Sequence, residues 1–350
     1  MRSKNLFYVS RNYKFSRNAA SKPKMDCETI LTKVGFKNLG FKQSNHPSSA
    51  VGAVISFFGI MKGLLRLPFG SIFCMQYPLS KFFNLVVFFA SFKKCTLIII
   101  VHDVKFLMGK RKDAAGEIRK FNKADYLIVH NESMKKWFEE NGCKAKMVTN
   151  EIFDYIHPIT KEIPKNDSMP VEVVFAGGLG KEKSEFLYST DNLGHENYVL
   201  KLYGGGFNKE AVDPSSSILD YQGVFSPDEV IDKISGSFGL VWNGNSIDEC
   251  SGEFGKYLQY NNPHKTSLYL LCGLPVIIWK KAAMAKFIEK ENLGLTIDSL
   301  SDLEKTLDQL SNEDYSTIMK NVKIARTKIA KGHYLKAAME KVLQLHFNDI

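Results

Sequence analysis

One segment in the last third of the chain, residues 263–279, constrains the fold most. Thr266 or Ser267 can cap a short helix, and Gly273 ends it before an apolar run. This pattern predicts a loop, a helix and a buried parallel strand. A helix N-terminus beside Lys265 attracts anions, and parallel strands bind ligands at their carboxyl ends. The segment predicts an anion site or, equally, an ordinary helix and strand with a solvated lysine.

Strands and helices alternate through the first half of the chain. The clearest strand is residues 95–101, which runs directly into His102 and Asp103. The pattern predicts further strands over residues 6–10, 71–78, 126–129 and 146–148, and helices over residues 25–34, 113–122 and 132–141. This βαβ repetition predicts an α/β fold with a Rossmann-like first domain.

A polar segment with three prolines, residues 157–170, predicts a linker. Strands of a second Rossmann-like domain are predicted over residues 171–176, 198–203, 218–221, 239–242 and 276–279. The tail, residues 314–345, has a helical pattern. We therefore predict an N-terminal domain over residues 1–160, a C-terminal domain over 161–325 and a C-terminal helix over 326–350.

Charge is distributed unevenly along the chain. Residues 1–125 carry 22 Lys and Arg against 6 Asp and Glu, a net +16, whereas the remaining residues carry 25 against 31, a net −6. Nucleic acid, acidic lipid headgroups or a phosphorylated acceptor would each complement the basic half. The sequence has no RNA-binding aromatic motif, zinc finger or helix-turn-helix signature, so we expect no nucleic-acid partner.

Two apolar runs lie within the basic half, residues 50–61 and 85–92. Both are shorter than the ~20 residues that span a bilayer. Packing in a domain core is the favoured interpretation. The alternative is peripheral contact of the flanking Lys62, Arg66, Lys93 and Lys94 with an anionic membrane.

The six cysteines are scattered, without a paired C-x-x-C motif, so neither a disulfide framework nor a structural metal is expected. The first residues lack the apolar core of a signal peptide. We therefore expect a cytoplasmic protein, peripheral on the inner face of the membrane, and leave association of several copies of the chain open.

Residues 257–267, together with Gln76 to Pro78 and His102 to Asp103, resemble a known family. The string 263–279 is similar to the donor-site signature of GT-B glycosyltransferases. More narrowly, the set resembles the bacterial β-1,6-galactofuranosyltransferases and the related glucosyltransferases of streptococcal adhesin glycosylation. The resemblance implies two Rossmann-like domains facing across a cleft, with the C-terminal helix returning to the first domain.

The resemblance also implies an activity. It implies transfer of a hexosyl unit, galactofuranosyl or glucosyl, from a UDP-sugar to a glycan or lipid-linked glycan acceptor. Many retaining GT-B enzymes carry a glutamate where Leu268 stands, which argues against that group. The alternatives are a noncatalytic GT-B partner or glycan-binding protein and an NAD-dependent oxidoreductase.

Donor contacts are expected on the second domain. The glycines after residue 176 can approach a diphosphate, but Lys183 stands where a dinucleotide fingerprint needs its third glycine. Tyr221 or Phe225 either stacks on the donor base or belongs to the core. The predicted donor-binding residues are Gly178, Gly180, Lys181, Tyr221, Asn261, Asn262, Pro263, His264, Lys265, Thr266 and Ser267.

Asp103, with His102, is the predicted catalytic base, because transfer needs a group that accepts the proton of the attacking hydroxyl. The alternative is a structural aspartate that caps the next segment. His130 and Glu132 are weaker candidates of the same kind. The loop over residues 18–26 is expected to face the acceptor and the donor phosphate, or to be a basic loop without a ligand. No metal or other cofactor is expected, because the chain has no Asp-x-Asp motif.

Overall fold

The structure is a computed structural model, and it describes residues 5–13, 21–79, 81–160, 162–163, 171–193, 196–212 and 217–348. The chain forms two compact units. Unit 1 comprises Met1–Asp154 and Gly332–Ile350, and unit 2 comprises Tyr155–Lys331.

These boundaries differ from the predicted ones after residues 160 and 325. Tyr155 already belongs to unit 2, where its hydroxyl donates to the Pro227 carbonyl at 2.7 Å and its ring stacks on His264 at 4.7 Å. Residues 161 and 164–170 of the predicted linker lie outside the described residues.

Unit 1 contains a six-stranded parallel sheet in the order β2-β1-β3-β4-β5-β6. Its central strands are continuously apolar, because helices cover both faces of such a sheet. The elements in chain order are β1 Leu6–Tyr8, α1 Lys22–Val34, β2 Lys37–Asn38, α2 Ser49–Arg66, β3 Ile72–Tyr77, α3 Phe83–Phe92, β4 Thr96–Val101, α4 Ala114–Phe121, β5 Tyr126–Val129, α5 Glu132–Glu140 and β6 Lys146–Thr149.

Unit 2 repeats this architecture with a sheet in the order β12-β11-β10-β7-β8-β9, also parallel. Its elements are β7 Val171–Ala176, α6 Lys181–Ser184, β8 Tyr198–Tyr203, β9 Leu219–Gly223, α7 Glu229–Lys233, β10 Phe238–Val241, α8 Gly252–Tyr257, α9 His264–Cys272, β11 Val276–Trp279, α10 Ala285–Lys290, β12 Gly294–Ile297, α11 Leu303–Asp308 and α12 Asn312–Lys331. Short 3₁₀ helices occupy Glu185–Asn192, Lys209–Ala211 and Leu300–Asp302.

Helix α9 packs tightly against the sheet of unit 2. The Tyr269 hydroxyl accepts a hydrogen bond from the Ala176 N–H at 2.8 Å and donates to the Leu240 carbonyl at 3.1 Å. A Cβ atom on Gly239 would lie 2.1 Å from the Tyr269 ring. Glycine at this position therefore lets α9 approach β7 and β10 closely.

The predicted tail helix is two helices, because the chain turns at Gly332, whose φ is +80°. The second helix, α13 His333–Asn348, belongs to unit 1 and packs against α1, β5 and β6. The Asp154 carboxylate accepts the backbone N–H groups of Tyr334 at 3.2 Å and Leu335 at 2.8 Å. Asp154 thus satisfies donors that the first turn of a helix leaves unpaired.

Among the described residues, one helix is long and apolar enough to cross a membrane by length and composition, and this is α2. Within unit 1, however, 33% of it is buried. The core interpretation of the first apolar run therefore holds for one face of the helix. Lys93, which the alternative interpretation places at a membrane surface, is buried, and its ammonium donates to the Leu65 and Leu67 carbonyls at 2.9 Å and 2.6 Å.

Burial of Asp154 makes the stability of the protein depend on pH. Burial raises the pKa of its carboxyl from 3.8 to about 7. The folded state therefore holds a proton that the unfolded state releases above about pH 4, and stability contributed by this group is lost as the pH rises towards 7.

We expect the free energy of unfolding of the wild type, relative to Asp154→Asn, to fall by about 2 kcal/mol from about pH 5 to about pH 8. Urea unfolding at the two pH values measures the difference. Asp220→Asn, at an exposed position of β9, is the control and should show no such change. A difference that stays constant with pH would contradict the assignment.

Candidate active site

The topology of unit 2 marks one place where a ligand is expected. Strand β7 lies between β8 and β10, and the chain proceeds from β7 to β8 but from β10 to β11 on the opposite side. Open α/β sheets bind ligands at such a switch point, outside the carboxyl ends of the strands. The residues that follow β7 and β10 therefore define the candidate site.

The ammonium of Lys265 lies at this switch point. Its Nζ is 3.5 Å from the Trp242 carbonyl oxygen and 3.4 Å from Asn243 Oδ1, both just beyond β10. It also lies 3.9 Å from the centroid of the Phe175 ring in β7. All three of these partners are neutral, so none of them offers a negative charge to the protonated lysine.

Burial lowers the pKa of Lys265 well below its usual value, and the nearby charge of Lys183 lowers it further. A cation held in this way gains from an anion, because the anion replaces the water that the ammonium has lost. The arrangement suits a diphosphate group.

Two glycine loops pack against each other beside the lysine. Gly177, with φ +150°, would place a Cβ atom 3.7 Å from the Lys265 ammonium, and a Cβ on Gly204 would lie 1.8 Å from the Gly177 carbonyl oxygen. The predicted contacts Gly178 and Gly180 belong to the first loop. Bare backbone at Gly177 leaves room for a ligand next to the ammonium.

Helix α9 begins earlier than the sequence predicts. It starts at His264 after Pro263, and no side chain caps it. Thr266 and Ser267, predicted as caps, are completely buried within the helix, so that prediction is wrong. Pro263 is the N-cap residue, and its carbonyl already accepts the Thr266 N–H at 3.0 Å.

Two buried oxygens near the start of α9 indicate further polar contacts. Asn261 Oδ1 and Thr266 Oγ1 have no hydrogen-bond partner among the described residues. Buried polar groups are nearly always paired with protein, water or ligand. Asn262, also a predicted contact, follows Asn261 in the chain and is buried as well.

Tyr221 is partly exposed rather than core. Its hydroxyl donates to the Gly204 carbonyl at 3.1 Å, which ties it to the second glycine loop. Phe225, the alternative, tilts against Tyr203 with centroids 6.2 Å apart. Lys181 starts α6 and lies 5.4 Å over the Tyr188 ring. The first glycine loop, which contains Gly178 and Gly180, thus lies beside Lys265, and the second is bonded to Tyr221.

In unit 1, the predicted base lies at the carboxyl edge of the sheet. His102 is buried, and its Nε2 donates to Gln76 Oε1 at 2.7 Å. The Gln76 amide donates to the Tyr13 hydroxyl at 3.3 Å, and that hydroxyl donates to Glu28 at 2.5 Å. A continuous chain of hydrogen bonds therefore fixes the orientation of the His102 ring.

Asp103 follows His102 and is partly exposed. Lys24, on α1, lies close enough to Asp103 for the two charges to interact. Burial and the charge of Arg11 lower the pKa of Lys24, and the charge of Asp103 partly raises it again. Asp103 therefore lies within electrostatic range of the Lys24 ammonium, at a partly exposed position. Sequence reasoning missed Arg11, which follows β1, and Glu28 of α1, because only contacts between residues far apart in the chain bring them to this edge.

The weaker candidates for the base have other partners. His130 is buried, its Nε2 donates to the Val101 carbonyl at 3.1 Å, and burial lowers its pKa to about 4. Glu132 is exposed on α5, with Lys135 3.7 Å away. In the predicted loop over residues 18–26, Lys22 pairs with Asp26 at 2.6 Å, whereas Asn18, Ala19 and Ala20 lie outside the described residues. The described residues include no cluster of three or more His, Cys, Asp or Glu side chains that could hold a metal ion.

The fold and the sequence both match glycosyltransferases. The chain aligns with the β-1,6-galactofuranosyltransferase WbbI of Escherichia coli (strain K12) at 29% identity, over 96% of this chain and 98% of that protein. It aligns with glucosyltransferase 3 of Streptococcus gordonii at 24% identity, over 69% of each chain. The solved structure of the lipopolysaccharide outer core galactosyltransferase WaaB, at 12% identity, superposes with a TM-score of 0.59 over 99% of both chains.

Two Rossmann-like units with this topology are the fold of GT-B glycosyltransferases, and the protein is a hexosyltransferase of that class. Residues 7–152 match the glucosyltransferase 3-like N-terminal domain, and residues 173–342 match the glucosyltransferase 3-like C-terminal domain. The chain belongs to the glucosyltransferase 3-like family.

The desolvated ammonium of Lys265 should cost stability in the absence of a ligand. Because its pKa is lowered by burial, the cost is present at neutral pH and is lost as the pH rises towards the ordinary value of 10.5. We expect Lys265→Met to raise the free energy of unfolding at neutral pH, and to raise it less near pH 10.

Denaturant titrations of ligand-free protein at both pH values check this expectation. Lys280→Met, which replaces an exposed lysine of the same unit, is the matched control and should have little effect. A Lys265→Met protein less stable than the wild type at neutral pH would show that the ammonium is satisfied where it stands.

Proposed function

We propose that the protein transfers a hexosyl unit from a UDP-sugar to a glycan acceptor in the synthesis of a cell-surface polysaccharide or glycoconjugate. The observation that carries this proposal is the Lys265 ammonium at the switch point of unit 2, with three neutral partners among the described residues and bare glycine backbone beside it. A nucleoside diphosphate supplies the negative charge that this position lacks.

The names of the aligned relatives point to two sugar units, galactofuranosyl and glucosyl. The alignment with the galactofuranosyltransferase spans nearly the whole of both chains, so we favour a galactofuranosyl unit over glucosyl. Tyr221, tied to the second glycine loop and partly exposed, is proposed to stack on the base of the nucleotide.

Asp103 is proposed as the general base. As the acceptor oxygen attacks the anomeric carbon, the bond from that carbon to the diphosphate oxygen breaks, and the acceptor proton passes to the Asp103 carboxylate. UDP leaves with the bonding electron pair, and Lys265 stabilises the charge that develops on the diphosphate. His102, held by Gln76, orients the peptide that carries Asp103. The proposed reaction uses no bound metal and no other cofactor.

We propose that the enzyme is cytoplasmic and acts peripherally at the membrane on a lipid-linked glycan acceptor. The support is the basic character of unit 1: the segment over residues 29–102 contains eight Lys and Arg and no Asp or Glu. A lipid-linked acceptor carries phosphate at the surface of the bilayer, and such a segment complements it.

Lys265→Ala should weaken UDP binding by about 1.5 to 3 kcal/mol, the range for a charge-assisted contact. Calorimetric titration of UDP into the variant and the wild type measures the loss. Lys280→Ala, at an exposed position that pairs with Asp298, should bind UDP as the wild type does. Unchanged UDP affinity in folded Lys265→Ala would reject this phosphate site.

Asp103→Asn should retain UDP affinity and lose sugar transfer by roughly 10²-fold or more, since the amide cannot accept the proton. Steady-state transfer rates, measured together with UDP titrations, separate the two effects. Asp113→Asn is the control, because that exposed side chain caps α4 through an oxygen that asparagine also provides. Near-normal transfer by Asp103→Asn would place the base elsewhere, whereas UDP binding without any transfer by the wild type would favour a noncatalytic protein.

A further inference from the structure

Helix α2 shows two chemically different faces. On one face, small residues allow close contact with the body of unit 1: a Cβ on Gly52 would lie 2.3 Å from Asn12 Nδ2, and one on Gly63 would lie 2.5 Å from a Val9 methyl group. The Asn12 N–H donates to Ser56 Oγ at 3.1 Å on the same face. These contacts hold this face against the body of unit 1, so α2 lies along the surface of the unit.

The opposite face of α2 is apolar and continues onto α3. Six large side chains are each more than half exposed, and we call them the apolar face: Val54, Phe58, Leu65, Phe69, Phe88 and Phe92.

Ring contacts connect the two helices across this surface. Phe69 lies 5.9 Å from Phe92, and Phe92 stacks on Phe88 at 6.3 Å. At the other end, Phe57 of α2 contacts Phe82, next to the start of α3, at 6.2 Å. Exposed patches of this kind in soluble proteins mark interaction sites.

The positive charge around the apolar face favours one kind of binding partner over another. The apolar face lies within residues 29–102, which carry eight basic and no acidic side chains. A second copy of the chain docked face to face would bring the same positive charge against itself, which opposes association. An anionic lipid surface instead offers negative charge to the lysines and hydrocarbon to the phenylalanines.

The position of the lysines fits this arrangement. The Lys62 ammonium lies 5.0 Å over the Phe41 ring, and Arg66 and Lys94 are exposed beside the ends of the two helices. The buried Lys93 binds the last carbonyls of α2 and contacts Phe69 at 5.8 Å, which holds the loop between the helix and β3 in place. Cations therefore border the apolar face at several points.

We propose that the apolar face binds an anionic lipid bilayer, with α2 and α3 lying in the interface and the six side chains inserted among the headgroups and upper acyl chains. The inference deepens the proposed function, because it states which surface brings the enzyme to a lipid-linked acceptor. It rests on the exposed face itself, and vesicles that contain neither donor nor acceptor test it independently of transfer.

The experiment is flotation of the full-length protein with phosphatidylcholine vesicles, with and without phosphatidylglycerol. We expect the protein to bind the anionic vesicles. Its affinity should fall as salt is raised, by about fivefold for each Lys or Arg whose attraction to the lipid is screened. The double variant Phe58→Gln and Phe88→Gln should lose about tenfold or more of the binding, because two large apolar side chains no longer insert.

Ile324→Gln is the matched control, since it removes a similarly exposed apolar side chain from α12 in unit 2 and should bind as the wild type does. Circular dichroism and UDP titration establish that the double variant is folded. Absence of binding to anionic vesicles, or equal binding by the wild type and the double variant, would overturn the proposal. So would sedimentation velocity that shows a wild-type dimer which the double variant converts to monomers, because the face would then join two copies of the chain.

Discussion

The candidate site of unit 2 depends on the partly buried ammonium of Lys265, whose neighbours are a carbonyl, an amide oxygen and an aromatic ring. Lys265 reaches the switch point because α9 lies close against β7 and β10, and that approach depends on the Gly239 backbone and on the hydrogen bonds of Tyr269. The same site opposes the glycine loop that begins at Gly177. Packing that stabilises the unit therefore also places a destabilised cation where a diphosphate would relieve it.

Unit 1 has two features in different places, a hydrogen-bonded group at the carboxyl edge of its sheet and an exposed apolar face on two of its helices. At the carboxyl edge, a partly buried chain of hydrogen bonds runs from His102 through Gln76 and Tyr13 to Glu28 and fixes the His102 ring beside Asp103. On the outside, α2 and α3 expose apolar and basic side chains. Because small residues hold one face of α2 against unit 1, the opposite face stays exposed on the surface of that unit.

Much of the fold follows from local pattern. The strands over residues 126–129, 171–176, 198–203 and 276–279 are confirmed at their predicted bounds, because each is a mainly apolar segment followed by a polar or turn-forming residue. The short β2 and β12 were missed, since a two-residue edge strand or a strand with glycine carries little periodic signal. The cap at Thr266 and Ser267 was wrong, because Pro263 already starts the helix and burial takes those side chains inside.

The sequence by itself determined the α/β class, the two Rossmann-like halves, the basic character of the first half and the candidate lysine, because these depend on periodicity, charge and short-range turn chemistry. Only the tertiary structure decided what surrounds that lysine, which carbonyls bind Lys93, and which face of α2 is exposed. Those outcomes depend on contacts between residues far apart in the chain, such as Lys265 with Phe175 or Asn12 with Ser56. Local sequence patterns do not indicate which residues far apart in the chain come into contact.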